Sequence, residues 1–347
     1  MLIAIDASRA NREHKTGTEW YSYYLIRWLA RLDKDNQYLL LTDEPLRDGL
    51  VDLSSDQFVG NQENKIEYDK SGYQIIKSPY NNFKAKVLKW PFKFLWTQGR
   101  LSLEMFIDKP DVLFVPAHTL PFYHPRKSFV TIHDLGFARN SEVYDCCEKL
   151  GPANKFWMKI LNFLVKTSTR EKCGVSSIEY LSWSTRFGLR EAYKVITISE
   201  FSKKDILDLY GNEYKNKIKV IYNGYNASLY KKTEDRIKSE EILKKYNIEG
   251  PYIFYIGRLD KKKNILKLIK AYQILRNKNK SIKHKLVLAG DAGFGFNDIN
   301  YLVSDRDMET DVIMTGWIDE ADVPYLYSNA SAFIFPSYYE GFGIPLL

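Results

Sequence analysis

Cysteine is scarce in this 347-residue chain: Cys146, Cys147 and Cys173 are the three present, two of them adjacent. They form no CxxC pair, which suits a reducing compartment and gives them no evident part in catalysis. The five histidines, His14, His118, His124, His133 and His284, show no metal-ligand spacing. No apolar run approaches the length of a membrane span. Met1 to Ala10 carries no basic n-region, so no secretory signal peptide is expected. Neither a solenoid repeat nor a low-complexity tract is present. The loop between Asp6 and Gly17 has one glycine and several charges in place of GxGxxG, which counts against a nicotinamide enzyme.

What is there is an ordinary soluble composition, 45% hydrophobic and 27% charged. The length suits two domains, each with its own core. The charged stretch Lys231 to Lys245 marks the boundary, giving domains at 1–228 and 229–347. A formal charge of +8 favours acidic partners: nucleotides, nucleic acid or anionic lipid. Nucleic acid is the poorest of these, because the basic residues lie in no recognised binding fold.

Short apolar runs alternate with helical patterns throughout, which predicts an α/β fold with parallel sheets. Strands are expected at Leu2–Asp6, Tyr38–Thr42, Val112–Val115, Ser128–Ile132, Ala192–Ile198 and Lys217–Tyr222. In the second half they are expected at Tyr252–Ile256, Leu286–Gly290, Val312–Gly316 and Ala332–Pro336. Ser199 suits a helix N-cap with Ser202 three residues on. The stretch from Asn140 to Arg190 is irregular, with helical pieces around Phe156 to Val165, and suggests no role.

The most informative segment is Tyr252 to Asn264. A strand runs into Gly257, a basic loop holds Arg258 and Lys263, and Ile265, Leu268, Ile269 and Tyr272 then repeat at helical spacing. Such a loop lies at the carboxyl edge of a parallel sheet, where ligands bind. Two cations beside a glycine suit a diphosphate; a solvated basic loop is the plain alternative. The strands ending at Gly290 and Gly316 bring bare backbone to the same edge. In Glu340-Gly341-Phe342-Gly343-Ile344, glycines around Phe342 expose amides beside a carboxylate, which suits sugar hydroxyls. His133 and Asp134 end a strand of the first half, where either a structural or a chemical role is open.

Between Lys70 and Leu103 there are seven basic residues and no acidic one. Phe83, Val87, Trp90 and Phe94 recur among them at helical spacing. The pattern reads as a basic helix with an aromatic face, against an anionic membrane or as domain core, with Pro91 interrupting it.

In series these pieces resemble glycosyltransferase family 4, retaining enzymes of the GT-B fold. The resemblance is carried by Thr131-Ile132-His133-Asp134-Leu135, Ile196 to Ile206, Val220-Ile221-Tyr222-Asn223-Gly224, Ile256-Gly257-Arg258 with Lys263-Asn264, Leu288-Ala289-Gly290, and Phe335-Pro336-Ser337 through Pro345. It covers nearly the whole chain, most weakly from Ser54 to Leu103. It implies two Rossmann-like domains facing a cleft, acceptor side first and nucleotide-sugar side second. Arg258, Lys263 and Gly17 would serve the donor diphosphate. Glu340, with the amides of Phe342, Gly343 and Ile344, would meet the transferred sugar, and Gly290 and Gly316 would lie by the base. His133 would sit beside the reacting sugar as a catalytic residue with Glu340. No metal or other cofactor is implied. Asp33-Lys34-Asp35 and Asp305-Arg306-Asp307 have the DxD form of metal-dependent GT-A transferases but fall at helix ends and read as solvated surface.

The resemblance further implies transfer of a hexose, with GDP-mannose favoured, to a lipid-linked or polymeric acceptor in bacterial surface-polysaccharide or lipopolysaccharide synthesis. The place would be the cytoplasm, with peripheral contact of residues 70–103 at the inner face of the membrane. The paired carboxylates of a double-displacement glycosidase are not evident. The family's second glutamate would stand at position 348, so a truncated second domain and weak activity of this chain are expected. The alternatives are an inactive nucleotide-sugar-binding fragment and a GT-B epimerase.

Overall fold

A computed structural model describes residues 1–55, 66–90, 96–144, 176–305 and 308–347, with Lys159, Asn162, Phe163 and Lys166. The three cysteines, Pro91, Phe94, Arg306, Asp307 and most of the stretch 156–165 lie outside the described residues. The chain forms two compact units, Met1–Leu135 with Cys147–Asn223, and Gly136–Cys146 with Gly224–Leu347. The division thus follows Asn223, where the sequence suggested 228, and a short earlier stretch packs with the second unit.

The first unit is built on eight strands: β1 (Leu2–Asp6), β2 (Gln37–Thr42), β3 (Gln74–Ile75), β4 (Phe83–Val87), β5 (Val112–Val115), β6 (Ser128–Ile132), β7 (Lys194–Thr197) and β8 (Ile218–Val220). Their order is β3-β4-β2-β1-β5-β6-β7-β8, parallel except where β3 meets β4. The inner strands are nearly continuous apolar runs because both faces are covered, as in β2, where Tyr38 to Thr42 are all buried. The helix Gly17–Leu32 starts at a capping box, Thr16 with Glu19, and lays Tyr23, Ile26 and Ala30 on Ile5 and Leu40.

The expected basic helix is overturned. Residues 83–87 form β4 and pair with β2, Phe83 opposite Tyr38. Their rings stack at 4.3 Å with planes 7° apart. Phe83 and Ala85 are buried while Lys84 is exposed, a period of two. The spacing misleads because residues four apart share a face in a strand as well as in a helix. The lysines are also engaged within the unit: Lys86 Nζ lies 2.5 Å from Glu104 Oε1 and 3.2 Å from Asp108 Oδ2, and Lys84 sits 3.9 Å from the Tyr73 ring centre. A second departure is the helix Ser177–Glu191, capped by Ser176 and Glu179 and buried through Trp183 and Phe187, in a stretch read as irregular.

The second unit has four parallel strands, β9 (Tyr252–Ile256), β10 (Lys285–Ala289), β11 (Val312–Gly316) and β12 (Ala332–Phe333), in the order β11-β10-β9-β12. Helices Ile265–Lys278 and Phe296–Asp305 cover one face through Leu268, Ile269, Ile299 and Val303. Ile242, Val323 and Leu326 pack on the other with Phe254 and Val287. Because every strand runs the same way, the loops after β9, β10, β11 and β12 all emerge at one edge. Among the described residues no helix is long and apolar enough to cross a membrane.

Phe83→Ala should cost about 3 kcal/mol of stability in urea unfolding, the value for a buried aromatic, against under about 0.5 kcal/mol for a side chain on an exposed helix face.

Candidate active site

Three strands of the second unit end in a glycine or run directly into one, and their backbones interlock. Gly257 N–H donates to Ala289 O at 2.9 Å, and Gly290 N–H to Gly316 O at 2.8 Å. Gly290 has φ +132°, and a Cβ there would lie 2.3 Å from the Gly257 carbonyl oxygen. Only glycine permits that approach. The loops beyond stay zipped: Leu259 N–H donates to Asp291 O (2.9 Å), Gly293 N–H to Leu259 O (3.0 Å) and Lys261 N–H to Phe294 O (2.9 Å). Gly293 is needed for this contact, since its Cβ would come 2.5 Å from the Asp260 Cβ.

On this base sits the cationic turn. Asp260 caps Lys261–Lys263, its Oδ1 accepting from Lys263 N–H at 3.2 Å. Burial raises the Asp260 pKa, while Lys262, Lys263 and Arg258 pull it back. Asn264 adopts the left-handed conformation (φ +61°) that asparagine tolerates, and its Nδ2 donates to Pro336 O at 3.1 Å. Tyr338 N–H donates to Lys262 O at 3.0 Å. The turn is thereby clipped to the end of β12, which explains why residues 77 apart meet: Lys263 Nζ lies 2.5 Å from Glu340 Oε1. Their side chains are 16% and 28% exposed, so the pair is only partly screened by water.

Arg258 is exposed; its carbonyl accepts from the Tyr255 hydroxyl at 3.3 Å and from Asp260 N–H at 3.0 Å, while its guanidinium makes no hydrogen bond or ion pair among the described residues. Its Cγ lies 3.2 Å from where a Gly293 Cβ would stand. Beyond Glu340, Phe342, Gly343 and Ile344 are half-buried, and Gly343 (φ +92°) turns the chain into Ile344–Leu346. The Ser337 hydroxyl oxygen is buried with no hydrogen-bond partner among the described residues. The edge thus offers an available guanidinium, an ammonium, a carboxylate and glycine-lined backbone.

Gly17 and His133 belong to the first unit. Gly17 opens its first helix, and a Cβ there would meet nothing within 4 Å. One turn on, the Tyr21 ring lies edge-on to His133 at 4.7 Å. His133 Nε2 is 2.9 Å from Pro116 O. A carbonyl only accepts, so Nε2 carries the proton and Nδ1 keeps its lone pair. Burial lowers the His133 pKa, outweighing the Pro116 carbonyl and the Asp134 charge, so the ring is neutral at pH 7. His118, at the end of β5, is pushed down to about 4 by burial, with its Nε2 2.8 Å from Thr185 Oγ1.

Sequence reasoning gave no role of their own to Asp260, Asn264, Ser337, His118 or the loop that follows Gly290, Asp291 to Gly295. Three glycines in six residues after a strand was the available signal for that loop; the others show only as partners in space.

Residues 238–347 match the family model described as Glycosyl transferases group 1, and form a domain of that kind. The chain is 30% identical over 171 residues to O-antigen chain mannosyltransferase B of Escherichia coli, covering 49% of this chain and 44% of that protein. It is 27% identical over 285 residues to O-antigen chain mannosyltransferase RfbU of Salmonella typhimurium, covering 80% of this chain and 65% of the relative. These matches span less than two thirds of either relative's length. The solved structure of WaaG, a glycosyltransferase involved in lipopolysaccharide biosynthesis, aligns over 100% of this chain and 77% of its own, with 13% identity and a TM-score of 0.60. The fold is GT-B.

Two substitutions separate contact from conformation. Gly290→Ala should lower stability by more than about 2 kcal/mol, because its methyl meets backbone. Gly316→Ala, with φ +70° and open space around the Cβ position, should cost only about 1 kcal/mol. The histidines set a pH dependence. As pH falls from about 6.5, the unfolded chain takes up protons that the folded one refuses down to the depressed His118 and His133 values. Urea midpoints should therefore drop between pH 7 and pH 5, and less steeply in His118→Gln.

Proposed function

We propose that the chain is a retaining glycosyltransferase of family 4 that moves a hexose, with mannose favoured, from a nucleotide sugar to a lipid-linked or polysaccharide acceptor in surface glycan synthesis. The observation that carries this reading is the clipped turn holding Arg258 and Lys263 at a glycine-lined sheet edge. Breaking the anomeric bond builds negative charge on the leaving diphosphate and positive charge on the sugar carbon. An ammonium held in place before the reaction, with an exposed guanidinium on the same turn, stabilises the former, which is the largest effect such a site can supply. They can do so without a metal ion, and we propose a metal-independent reaction.

Glu340 and the amides of Phe342, Gly343 and Ile344 are assigned to the sugar, and Gly290 and Gly316 to the side of the base. His133, neutral with a free lone pair on Nδ1, is assigned to the acceptor side, where it can accept a hydrogen bond from a hydroxyl. Gly17 is assigned to the donor phosphates from the first unit. Mannose as the sugar is supported by the names of the two O-antigen relatives. Nucleotide sugars are cytoplasmic metabolites, which supports work on that side of the membrane.

A thermal-shift panel of GDP- and UDP-sugars tests the reading, since a ligand that binds only the folded state raises the melting temperature. The unsubstituted chain should be stabilised by one nucleotide class. Arg258→Ala and Lys263→Ala should each reduce that shift and lower transfer by at least about 100-fold. Full stabilisation and turnover in both variants would refute the assignment.

A further inference from the structure

Without a ligand, Lys263 is not waiting for phosphate: its Nζ is 2.5 Å from the Glu340 carboxylate. The contact is held from both sides, by the Asp260 cap and Asn264 clip under the lysine and by the chain from Pro336 to Glu340. The lysine also lies 5.6 Å from the Phe335 ring centre, so it sits in a partly apolar surround. Arg258, by contrast, has no such partner among the described residues. The two cations of the turn are therefore in different states before any ligand arrives.

Resting on the donor-site reading above, we propose that Glu340 is a specificity-determining residue that selects intact nucleotide sugars over bare nucleoside diphosphates by competing for Lys263. A diphosphate that takes Lys263 strips Glu340 of its cation and leaves a carboxylate, 72% of whose side chain is out of water's reach, without a partner. A bare nucleoside diphosphate gives nothing back to that carboxylate. An intact donor carries sugar hydroxyls whose O–H groups donate to Glu340 as the ammonium departs, so both halves of the broken pair are satisfied. Selectivity thus comes from a penalty on the wrong ligand as well as from contacts to the right one. The same exchange favours release of the spent nucleoside diphosphate: once the sugar is gone, Glu340 draws Lys263 back.

The test is calorimetric titration of the full chain with GDP and UDP, and with GDP-mannose and UDP-glucose, in the unsubstituted protein, Glu340→Gln, Lys263→Ala and the double variant. Glutamine keeps the shape and removes the charge. Glu340→Gln should bind the recognised nucleoside diphosphate about tenfold more tightly, and the matching nucleotide sugar no more tightly than before. In the Lys263→Ala background the same substitution should have no effect on diphosphate affinity. Weaker or unchanged diphosphate binding in Glu340→Gln overturns the proposal. So does equal tightening for both ligand types, or tightening that persists without Lys263, since either would be simple charge repulsion between Glu340 and the phosphates. If the unsubstituted chain binds none of the four nucleotides, the donor-site reading itself fails and this inference falls with it.

Discussion

The contact between the Gly257 carbonyl and the Gly290 backbone is the constraint on which the second unit's edge depends. It presses the loop after β9 against the loop after β10, so that the Arg258 to Lys263 turn is braced from one side. Asn264 and Tyr338 brace it from the other, against the end of β12. A basic turn held only by its own hydrogen bonds would let three consecutive lysines separate in water. Here mutual repulsion is met by the buried Asp260 carboxylate and by Glu340. The Lys263 charge is therefore fixed in place by the protein's own groups.

The first unit follows the same construction with different chemistry. Its sheet edge gathers the start of the first helix, the His118 segment after β5, His133 and Asp134 after β6, and Ser202, whose hydroxyl donates to the His133 carbonyl at 3.0 Å. Where the second unit concentrates cations, this edge holds histidines that burial keeps neutral. The two sheet edges are thus furnished differently, one with cations and the other with neutral imidazoles.

Much of this was legible in the residues. Strands at Leu2–Asp6, Val112–Val115, Ser128–Ile132, Tyr252–Ile256 and Val312–Gly316 were read at their observed bounds, because unbroken apolar runs ending in glycine, aspartate or histidine have few other uses. The loop after Ile256 was visible as a basic turn at the sheet edge for the same reason. What stayed hidden depends on distance in the chain or on ambiguous spacing. Phe83 and Val87 fit either period, so β4 was mistaken for a helix. The Lys263–Glu340 pair joins residues that sequence reading had given to separate parts of the ligand. The Gly290 contact looks, in sequence, like any other strand-ending glycine, and only the neighbouring backbone shows why no other residue fits.

The grouping of Gly136–Cys146 with the second unit means that the polypeptide passes from one unit to the other three times, after Leu135, after Cys146 and after Asn223. No single crossover point divides the two units cleanly. An evolutionary exchange of halves at Asn223 would graft in a second unit stripped of part of its own packing, and would leave behind a strip shaped for the discarded partner. The halves of this protein are accordingly bound to diverge together, each substitution on the strip being answerable to residues more than a hundred positions downstream.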